Sequence, residues 1–309
     1  MKTALLFVAC GATVGLALSL PRAVQSQQQV FRTTSQTVAV YVTVRESSGR
    51  LVPDLPKEAF ELYDNGKRVD LTVFSNDIQP FTTVLLLDMS RSMSKQYGRV
   101  VDSAKHFVAA LRDDDRVRIG SFGREVALSP ILTSDKSVLL RILDEELWPG
   151  GATPLWRAAT GAMDSLAPES GRRVVLALTD GADSGVDYNC APLVSDPHGN
   201  TGACPGRVDV RRRAVAEGFM FYAIGFEGTG LDQGLREIAD DTGGGHFRLE
   251  KNAELEATFA RVADELHHQY LLGFSPASLD GRAHQLEVRL TRSGLVAKAR
   301  KSYVAEAGR

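Results

Sequence analysis

The sequence predicts an α/β protein with a doubly wound, mostly parallel sheet and a small β-rich platform built from its two flanks. Two observations predict the sheet. Residues 84–87 and 174–179 are uncharged apolar runs, the composition of strands buried on both faces of a parallel sheet. Segments whose apolar residues recur at helical spacing lie between such runs. Strands that alternate with helices form a parallel sheet covered by helices on both faces.

The N-terminal flank, residues 27–80, has the pattern of short strands and turns. Valine alternates with other residues over positions 38–43, and this period of two indicates a strand. Asp64-Asn65-Gly66 lies between two further alternating runs and is a strong hairpin signal. We therefore expect a small β unit before the main domain.

The main domain is placed at residues 81–269. Its first strand ends at Asp88, and an amphipathic helix is expected at 94–112. Strands at 117–122 and 125–128 are interpreted as a hairpin around Gly123. Helices follow at 136–147 and after Pro154, since proline suits a first helical turn. The strand at 174–179 leads to a cysteine-bearing loop, a short basic helix and a buried strand at 219–226. A helix stopped by the glycines 243–245, a strand at 246–249 and a closing helix complete the domain.

The C-terminal flank, residues 270–309, returns to β patterns at 270–274, 285–290 and 295–303. These segments and those of the N-terminal flank enclose the α/β domain in sequence. We predict that the two flanks pair in space as one β-sandwich-like platform.

Composition and the N-terminus indicate an exported globular protein. The 309 residues carry a formal net charge of -2, and no basic stripe indicates a nucleic-acid partner. Lys2 precedes an uncharged stretch at 3–20 and small residues at 23–26, the layout of a secretory signal peptide over residues 1–26, cleaved after Ser26. The rival interpretation is an uncleaved membrane anchor, because the run approaches the roughly 20 residues that span a bilayer. We expect a secreted or periplasmic protein without a membrane span, or an N-terminally anchored one in the rival case.

The cysteine content agrees with export. If Cys10 leaves with the signal peptide, Cys190 and Cys204 remain as an even pair in a loop rich in Gly, Pro, Asn and Asp. In an oxidising compartment this pair is expected to form a disulfide. The spacing lacks the CxxC pairs or histidines of a zinc site.

Five oxygen-bearing side chains lie at the ends of predicted strands and in a glycine-rich turn. Asp88 ends one buried strand, where ligands bind in open α/β sheets, and Ser90 and Ser92 follow at alternate positions. Thr153 lies in the turn Gly-Gly-Ala-Thr-Pro, and Asp180 ends a second buried strand. Donors that are all oxygen favour Mg²⁺, Mn²⁺ or Ca²⁺ over zinc or copper.

This set resembles the metal-ion-dependent adhesion site of the von Willebrand factor type A domain, whose pattern is DxSxS, a threonine in a GATPL turn, and TDG. All five positions match in order and residue type. The resemblance implies that Ser90, Ser92 and Thr153 coordinate the cation directly, and that Asp88 and Asp180 act directly or through water. With β segments on both sides of this domain, the chain resembles the bacterial VWFA-related proteins known largely from Acidobacteria. That family implies no established biochemical role.

The charge balance of such a site favours partner binding. At most two carboxylates approach the dication, and the other donors are neutral, so an exchangeable position remains open. The natural completing ligand is a carboxylate of another protein. We therefore predict an exported, non-enzymatic adhesion or recognition module that uses Mg²⁺, with Mn²⁺ and Ca²⁺ as alternatives.

Two other classes of function are weighed against recognition. One is a cell-envelope scaffold in which the platform binds and the metal only stabilises the fold. The other is a metal-assisted hydrolase, but no general base neighbours the motif. No HExxH motif exists, and the adjacent His267 and His268 cannot ligate one metal together, so both are expected at the surface.

Four further residues near the motif have a structural expectation. Asp183 and Ser184 follow Asp180 closely and are expected to be solvated or to cap a helix rather than to bind the metal. Trp148 and Trp156 lie on either side of the glycine-rich turn. Packing in the core is the default for both tryptophans, and a place on the rim of the site is the alternative.

Overall fold

The computed structural model describes residues 37–181, 183–184, 205–226, 230–251 and 254–306. Residues 35–309 group as one unit. The predicted signal segment 1–26 and the predicted disulfide between Cys190 and Cys204 lie outside the described residues. Within those ranges, no helix combines the length and apolarity needed to cross a membrane.

The described elements alternate between strands and helices in the centre of the chain. The strands are β1 (Val38–Glu46), β2 (Phe60–Asp64), β3 (Lys67–Val69), β4 (Val73–Ser75), β5 (Thr82–Asp88), β6 (Arg116–Phe122), β7 (Val126–Leu128), β8 (Arg173–Thr179), β9 (Met220–Gly225), β10 (His246–Arg248), β11 (Tyr270–Phe274), β12 (Ala283–Leu290), β13 (Leu295–Ala299) and β14 (Ser302–Val304). The helices are α1 (Tyr97–Ala110), α2 (Lys136–Glu145), α3 (Leu155–Leu166), α4 (Arg207–Glu217), α5 (Gln233–Thr242) and α6 (Leu255–His267).

The central sheet has six strands in the order β10-β9-β8-β5-β6-β7. All neighbours are parallel except β7, which returns antiparallel to β6 as the hairpin pattern predicts. Leu85 and Leu87 of β5 pack in one apolar cluster with α1, α2 and α6. Val84 and Leu86 pack in a second cluster with α3, α4 and α5. The helices thus cover both faces, and the predicted doubly wound α/β class is confirmed.

Element bounds differ from the predictions mainly at helix ends. Helix α1 begins at Tyr97 rather than near residue 94, because a 3-10 turn at Arg91–Lys95 lies between it and β5. Asp135 caps α2 by accepting from the Ser137 and Val138 amides at 2.8 and 3.3 Å. Helix α5 ends as predicted at Gly243, which has a φ of 80°.

The two flanks form the predicted β platform, two four-stranded sheets in the orders β13-β1-β11-β4 and β14-β12-β2-β3. Each sheet combines strands from both ends of the chain: Val42 of β1 pairs with Tyr270 of β11, and Leu62 of β2 with Val288 of β12. The two sheets share one apolar core. At the predicted hairpin between β2 and β3, Asn65 has a φ of 49°.

A buried polar cluster lies within the platform. Nδ1 of His284 lies 2.9 Å from Oδ1 of Asp64, and the Tyr303 hydroxyl donates to Oδ2 of Asp64 at 3.0 Å. Burial lowers the pKa of His284, but the hydrogen bond and charge of Asp64 outweigh it, so the pKa lies above its ordinary value.

The platform contacts the main domain at the amino ends of the parallel strands. Arg172, which is buried, precedes β8 and donates to Gln269 Oε1 at 2.8 Å and to the Gln79 carbonyl at 2.7 Å. Gln269 in turn donates to Thr43 Oγ1 of β1 at 3.1 Å. Buried polar groups that are hydrogen-bonded to both parts fix their relative orientation.

The expectation that His267 lies at the surface is wrong. Its side chain is buried at this junction, and Nε2 lies 2.7 Å from Oδ2 of the fully buried Asp115. The end of α6 runs past the amino end of β6, so His267 meets an acid 152 residues away in sequence. His268, which follows it, bonds instead to its own helix through the Asp264 carbonyl.

Candidate metal site

The candidate site lies at the carboxyl ends of two adjacent strands. β5 and β8 are parallel neighbours in the centre of the sheet, and Leu87 is in register with Leu178. Asp88 is therefore the last residue of one strand, and Asp180 follows the last residue of the other. Parallel pairing brings these two carboxylates to the same edge of the sheet.

Asp88 is fully buried and held by two hydrogen bonds. Oδ1 accepts the Ser90 amide at 2.9 Å, and Oδ2 accepts the Thr179 hydroxyl at 2.7 Å. Burial raises the pKa of Asp88 above its ordinary value, hydrogen bonding from Ser90 and Thr179 opposes this, and the charge of the neighbouring Asp180 adds to the rise. The carboxylate thus has fixed geometry and an unfavourable electrostatic environment.

A chain of hydroxyl groups joins the first loop to the second acid. The Ser90 and Ser92 hydroxyl oxygens are 3.0 Å apart, and the Ser92 hydroxyl donates to Oδ1 of Asp180 at 2.9 Å. Ser90 and Asp180 are both buried. The structure thus links four of the five sequence-predicted residues in one series of hydrogen bonds.

The turn that carries Thr153 is hydrogen-bonded to the loop after β5. The Gly150 amide donates to the Met89 carbonyl at 2.7 Å, and the Arg91 amide donates to the Gly151 carbonyl at 3.1 Å. These backbone bonds place the glycine-rich turn beside the residues between Asp88 and Ser92. Thr153, the fifth predicted ligand, is half-buried at the end of this turn.

The same turn is hydrogen-bonded to the segment after Asp180. The Thr153 amide donates to the Ser184 hydroxyl at 3.2 Å, and the Ser184 amide donates to the Thr153 carbonyl at 3.0 Å. Oδ1 of Asp183 accepts the Trp156 amide in the first turn of α3 at 3.4 Å. These bonds are capping contacts of the kind expected for Asp183 and Ser184.

Close backbone contacts explain two glycines of the site. Gly151 has a φ of 88°, and a Cβ there would lie 2.4 Å from the Arg124 Cα. A Cβ on Gly123, in the turn between β6 and β7, would lie 2.6 Å from the Gly150 carbonyl oxygen. Only glycine permits this approach of the β6–β7 turn to the glycine-rich turn.

Tyr97 was not singled out by the sequence analysis, although it supports the site. From the first turn of α1, its hydroxyl lies 2.6 Å from the Ser90 carbonyl and 2.9 Å from the Met89 carbonyl. Burial and the charges of Asp88 and Asp180 raise its pKa, so the hydroxyl stays protonated and remains a donor. An aromatic residue five positions after the DxSxS motif is the only sequence signal for this role.

The two tryptophans near the turn have different environments. Trp156 is buried, with 8% of its surface exposed, and packs in the core with α3 and α5, as the default expectation states. Trp148 is 61% exposed, so core packing is wrong for this residue. It lies two residues before Gly150, in the loop that leads to the glycine-rich turn.

The donor set fits a hard divalent cation. Within the described ranges, neither Asp88 nor Asp180 forms an ion pair with a basic side chain, although both are buried. Uncompensated buried carboxylates are unfavourable, and a cation bound between them removes that penalty. The remaining donors are hydroxyls, which suit Mg²⁺, Mn²⁺ or Ca²⁺. Among the same described residues, no group of three His, Cys, Asp or Glu side chains could hold a metal.

Comparison with known proteins agrees with this geometry. The family model of the von Willebrand factor type A domain matches residues 83–182, a span that contains all five candidate ligands. The chain contains a von Willebrand factor type A domain. Domains of this family commonly mediate protein interactions or adhesion. No curated protein sequence matches the chain significantly.

Solved structures similar to this chain include other von Willebrand A proteins at low identity. The von Willebrand factor type A protein from Catenulispora acidiphila is 13% identical, with 89% of this chain and 75% of that chain covered and a TM-score of 0.48. The corresponding domain of the type V pili tip protein Mfa5 from Porphyromonas gingivalis is 14% identical, with 60% and 95% covered and a TM-score of 0.47. Proximal thread matrix protein 1 from the mussel byssus is 20% identical, with 61% and 49% covered and a TM-score of 0.46. This chain thus spans about half the length of the mussel protein.

Proposed function

We propose that this chain is an exported, non-enzymatic recognition protein that binds a protein ligand through a divalent cation, with Mg²⁺ as the first choice. Asp88, Ser90, Ser92, Thr153 and Asp180 hold the cation. The observation that carries the proposal is the pair of buried acids, joined by a hydroxyl chain and without a basic partner among the described residues.

The chain's own residues supply geometry and incomplete neutralisation. Thr179 and the Ser90 amide orient the Asp88 carboxylate, and Tyr97 holds the carbonyls of the loop that carries Ser90. Neutral hydroxyls of Ser90, Ser92 and Thr153 leave the positive charge only partly compensated. When bound, the cation offers an electrophilic position that a carboxylate of the partner completes.

The placement of the site supports binding of a large partner. The site lies at the carboxyl ends of β5 and β8, whereas the platform contacts the amino ends of the parallel strands. A strand of seven residues is about 23 Å long, so the platform does not cover the site. Export by the signal segment and a disulfide in the loop after Asp180 are part of the same proposal.

The test combines metal binding with capture from an envelope extract. The immobilised wild-type chain is compared with Asp88→Asn and with Asp113→Asn, an exposed acid on another loop that serves as the matched control. Calorimetry with MgCl₂ should show binding to the wild type and the control but not to Asp88→Asn. Partners should be captured by the same two proteins in Mg²⁺ and released by EDTA.

Two outcomes would contradict parts of this proposal. Equal capture by Asp88→Asn in EDTA would show that the cation does not hold the partner. Metal binding that raises the unfolding temperature without any metal-dependent capture would favour the second candidate, a cell-envelope scaffold in which the metal stabilises the fold.

A further inference from the structure

Trp148 is an exposed aromatic residue, with 61% of its surface accessible. Among the described residues, it is the one aromatic side chain in the group of exposed large apolar residues. It lies between α2 and the glycine-rich turn, and Pro149 follows it. Single exposed apolar residues are common on protein surfaces and need no function. Trp148 differs because it belongs to the loop that carries Thr153.

Covalent geometry places Trp148 beside the candidate cation site. The Gly150 amide is 2.7 Å from the Met89 carbonyl, which lies between the metal-site residues Asp88 and Ser90. Two residues of chain span about 7 Å at most, so the Trp148 backbone lies within about 10 Å of that carbonyl. The loop that carries Trp148 therefore borders the loop that carries Ser90 and Ser92.

The backbone before Thr153 keeps this loop in one arrangement. Gly150 and Gly151 have φ values of 112° and 88°, and both are hydrogen-bonded to the loop after β5. Pro149 restricts the backbone on the other side of Gly150. The backbone beside Trp148 thus needs little further ordering when the loop contacts a partner, which limits the backbone entropy lost on binding.

The other exposed apolar side chains lack this relation to the site. Ile131 lies in the segment that pairs with the amino end of β6, through the bridge between Val117 and Thr133. Val296 lies in β13 of the platform. Ile78 lies between β4 and β5, and Val208 lies in α4, so Trp148 alone among these five shares a loop with a candidate ligand.

We propose that Trp148 is a specificity-determining residue of the cation site. It contacts an apolar side chain of the partner that lies a few residues from the carboxylate that binds the cation. The partner is therefore an acidic segment with an apolar neighbour, rather than an acidic segment of any kind. This inference rests on the proposed function. Tryptophan is the residue type most often found to dominate binding at interface centres.

The test selects ligands from random sequences, so that the partner need not be identified beforehand. A random linear peptide library displayed on phage is panned in Mg²⁺ against the wild-type chain, Trp148→Ala, Trp148→Phe and Val296→Ala, and bound phage are eluted with EDTA. Val296 is a matched control because it is 62% exposed and lies on the platform. Circular dichroism and Mg²⁺ calorimetry verify that each variant folds and binds the metal as the wild type does.

We expect the wild type and Val296→Ala to select peptides with an Asp or Glu and an apolar residue a few positions away. Trp148→Ala should bind these peptides about tenfold more weakly or worse and should lose the apolar preference, whereas Trp148→Phe should retain most of it. Selection of the same peptides with the same affinity by Trp148→Ala would overturn this inference alone. If the wild type selects no peptide that EDTA releases, the proposed function fails and this inference fails with it.

Discussion

Replacement of Asp88 by asparagine should have opposite effects on stability with and without the metal. Asparagine keeps the shape of the side chain. Its oxygen can still accept a hydrogen bond from the Ser90 amide, which in the wild type lies 2.9 Å from Asp88 Oδ1. The Thr179 hydroxyl, which in the wild type donates to Asp88 Oδ2, has the Gly181 carbonyl as a second acceptor at 3.3 Å. The substitution therefore removes a buried charge next to Asp180 and leaves the Ser90 amide and the Thr179 hydroxyl with acceptors.

The magnitudes follow from the burial of the site. Without a cation, removal of an unpaired buried charge should stabilise the fold by about 1–2 kcal/mol, because protonation already limits part of the penalty. With Mg²⁺ at about 100 times its dissociation constant, the wild type gains about 2.7 kcal/mol. At about 2–4 °C per kcal/mol for a domain of this size, the wild-type unfolding temperature should rise by about 5–10 °C.

Thermal unfolding followed by circular dichroism checks the prediction. Wild type, Asp88→Asn and the control Asp113→Asn are each measured in saturating MgCl₂ and in EDTA. In EDTA Asp88→Asn should unfold above the wild type, and in Mg²⁺ below it, while the control should follow the wild type. If Asp88→Asn is less stable than the wild type by the same amount in both buffers, the carboxylate is a structural hydrogen-bond acceptor and the reasoning is refuted.

Three further predictions concern the turn, the platform and the junction. Gly150→Ala introduces only backbone strain and should lower the free energy of unfolding in urea by about 1–2 kcal/mol. Gly151→Ala also introduces a clash with the backbone of Arg124, so it should lower the free energy of unfolding further and abolish Mg²⁺ binding in calorimetry. Because the pKa of His284 is raised in the folded state, its protonated side chain stabilises the fold at pH values below the pKa of the unfolded state. This contribution is lost as the pH rises through the pKa of the folded state. The difference in unfolding free energy between wild type and His284→Gln should therefore shrink in urea titrations as the pH is raised above about 6.5. Arg172→Ala leaves buried acceptors unpaired and should cost about 3 kcal/mol, measured in the same titrations.

The sequence predicts the centre of the site because strand ends determine it. Asp88 and Asp180 each follow an apolar run. Neighbouring parallel strands have their carboxyl ends at the same edge of the sheet, and this does not depend on the conformation of the loops. Ser90 and Ser92 follow within one short turn, so their proximity to Asp88 is local. The hairpin at Asn65 is predictable for the same reason, since its conformation depends on neighbouring residues alone.

Contacts between distant segments are not encoded in any local pattern. The burial of His267 depends on Asp115 reaching the end of α6, and the two residues are 152 positions apart. Arginine is usually found at the surface, yet Arg172 is buried and donates to carbonyl groups of two other segments. The exposure of Trp148 depends on the path of a loop that backbone hydrogen bonds fix. Such features require the tertiary structure.

The interleaving of both chain ends in the platform has a consequence for how this protein is made. Val42 pairs with Tyr270, and His284 reaches Asp64 across 220 positions of sequence, so neither platform sheet can close until residues 270–290 have left the ribosome. The α/β domain can form first, because its pairings are more local. Until the last segments arrive, β1 and β2 present unpaired edges that favour aggregation. A stop codon after α6 would therefore leave the first half of the platform permanently unpaired, and such truncated chains should be targets for proteolysis.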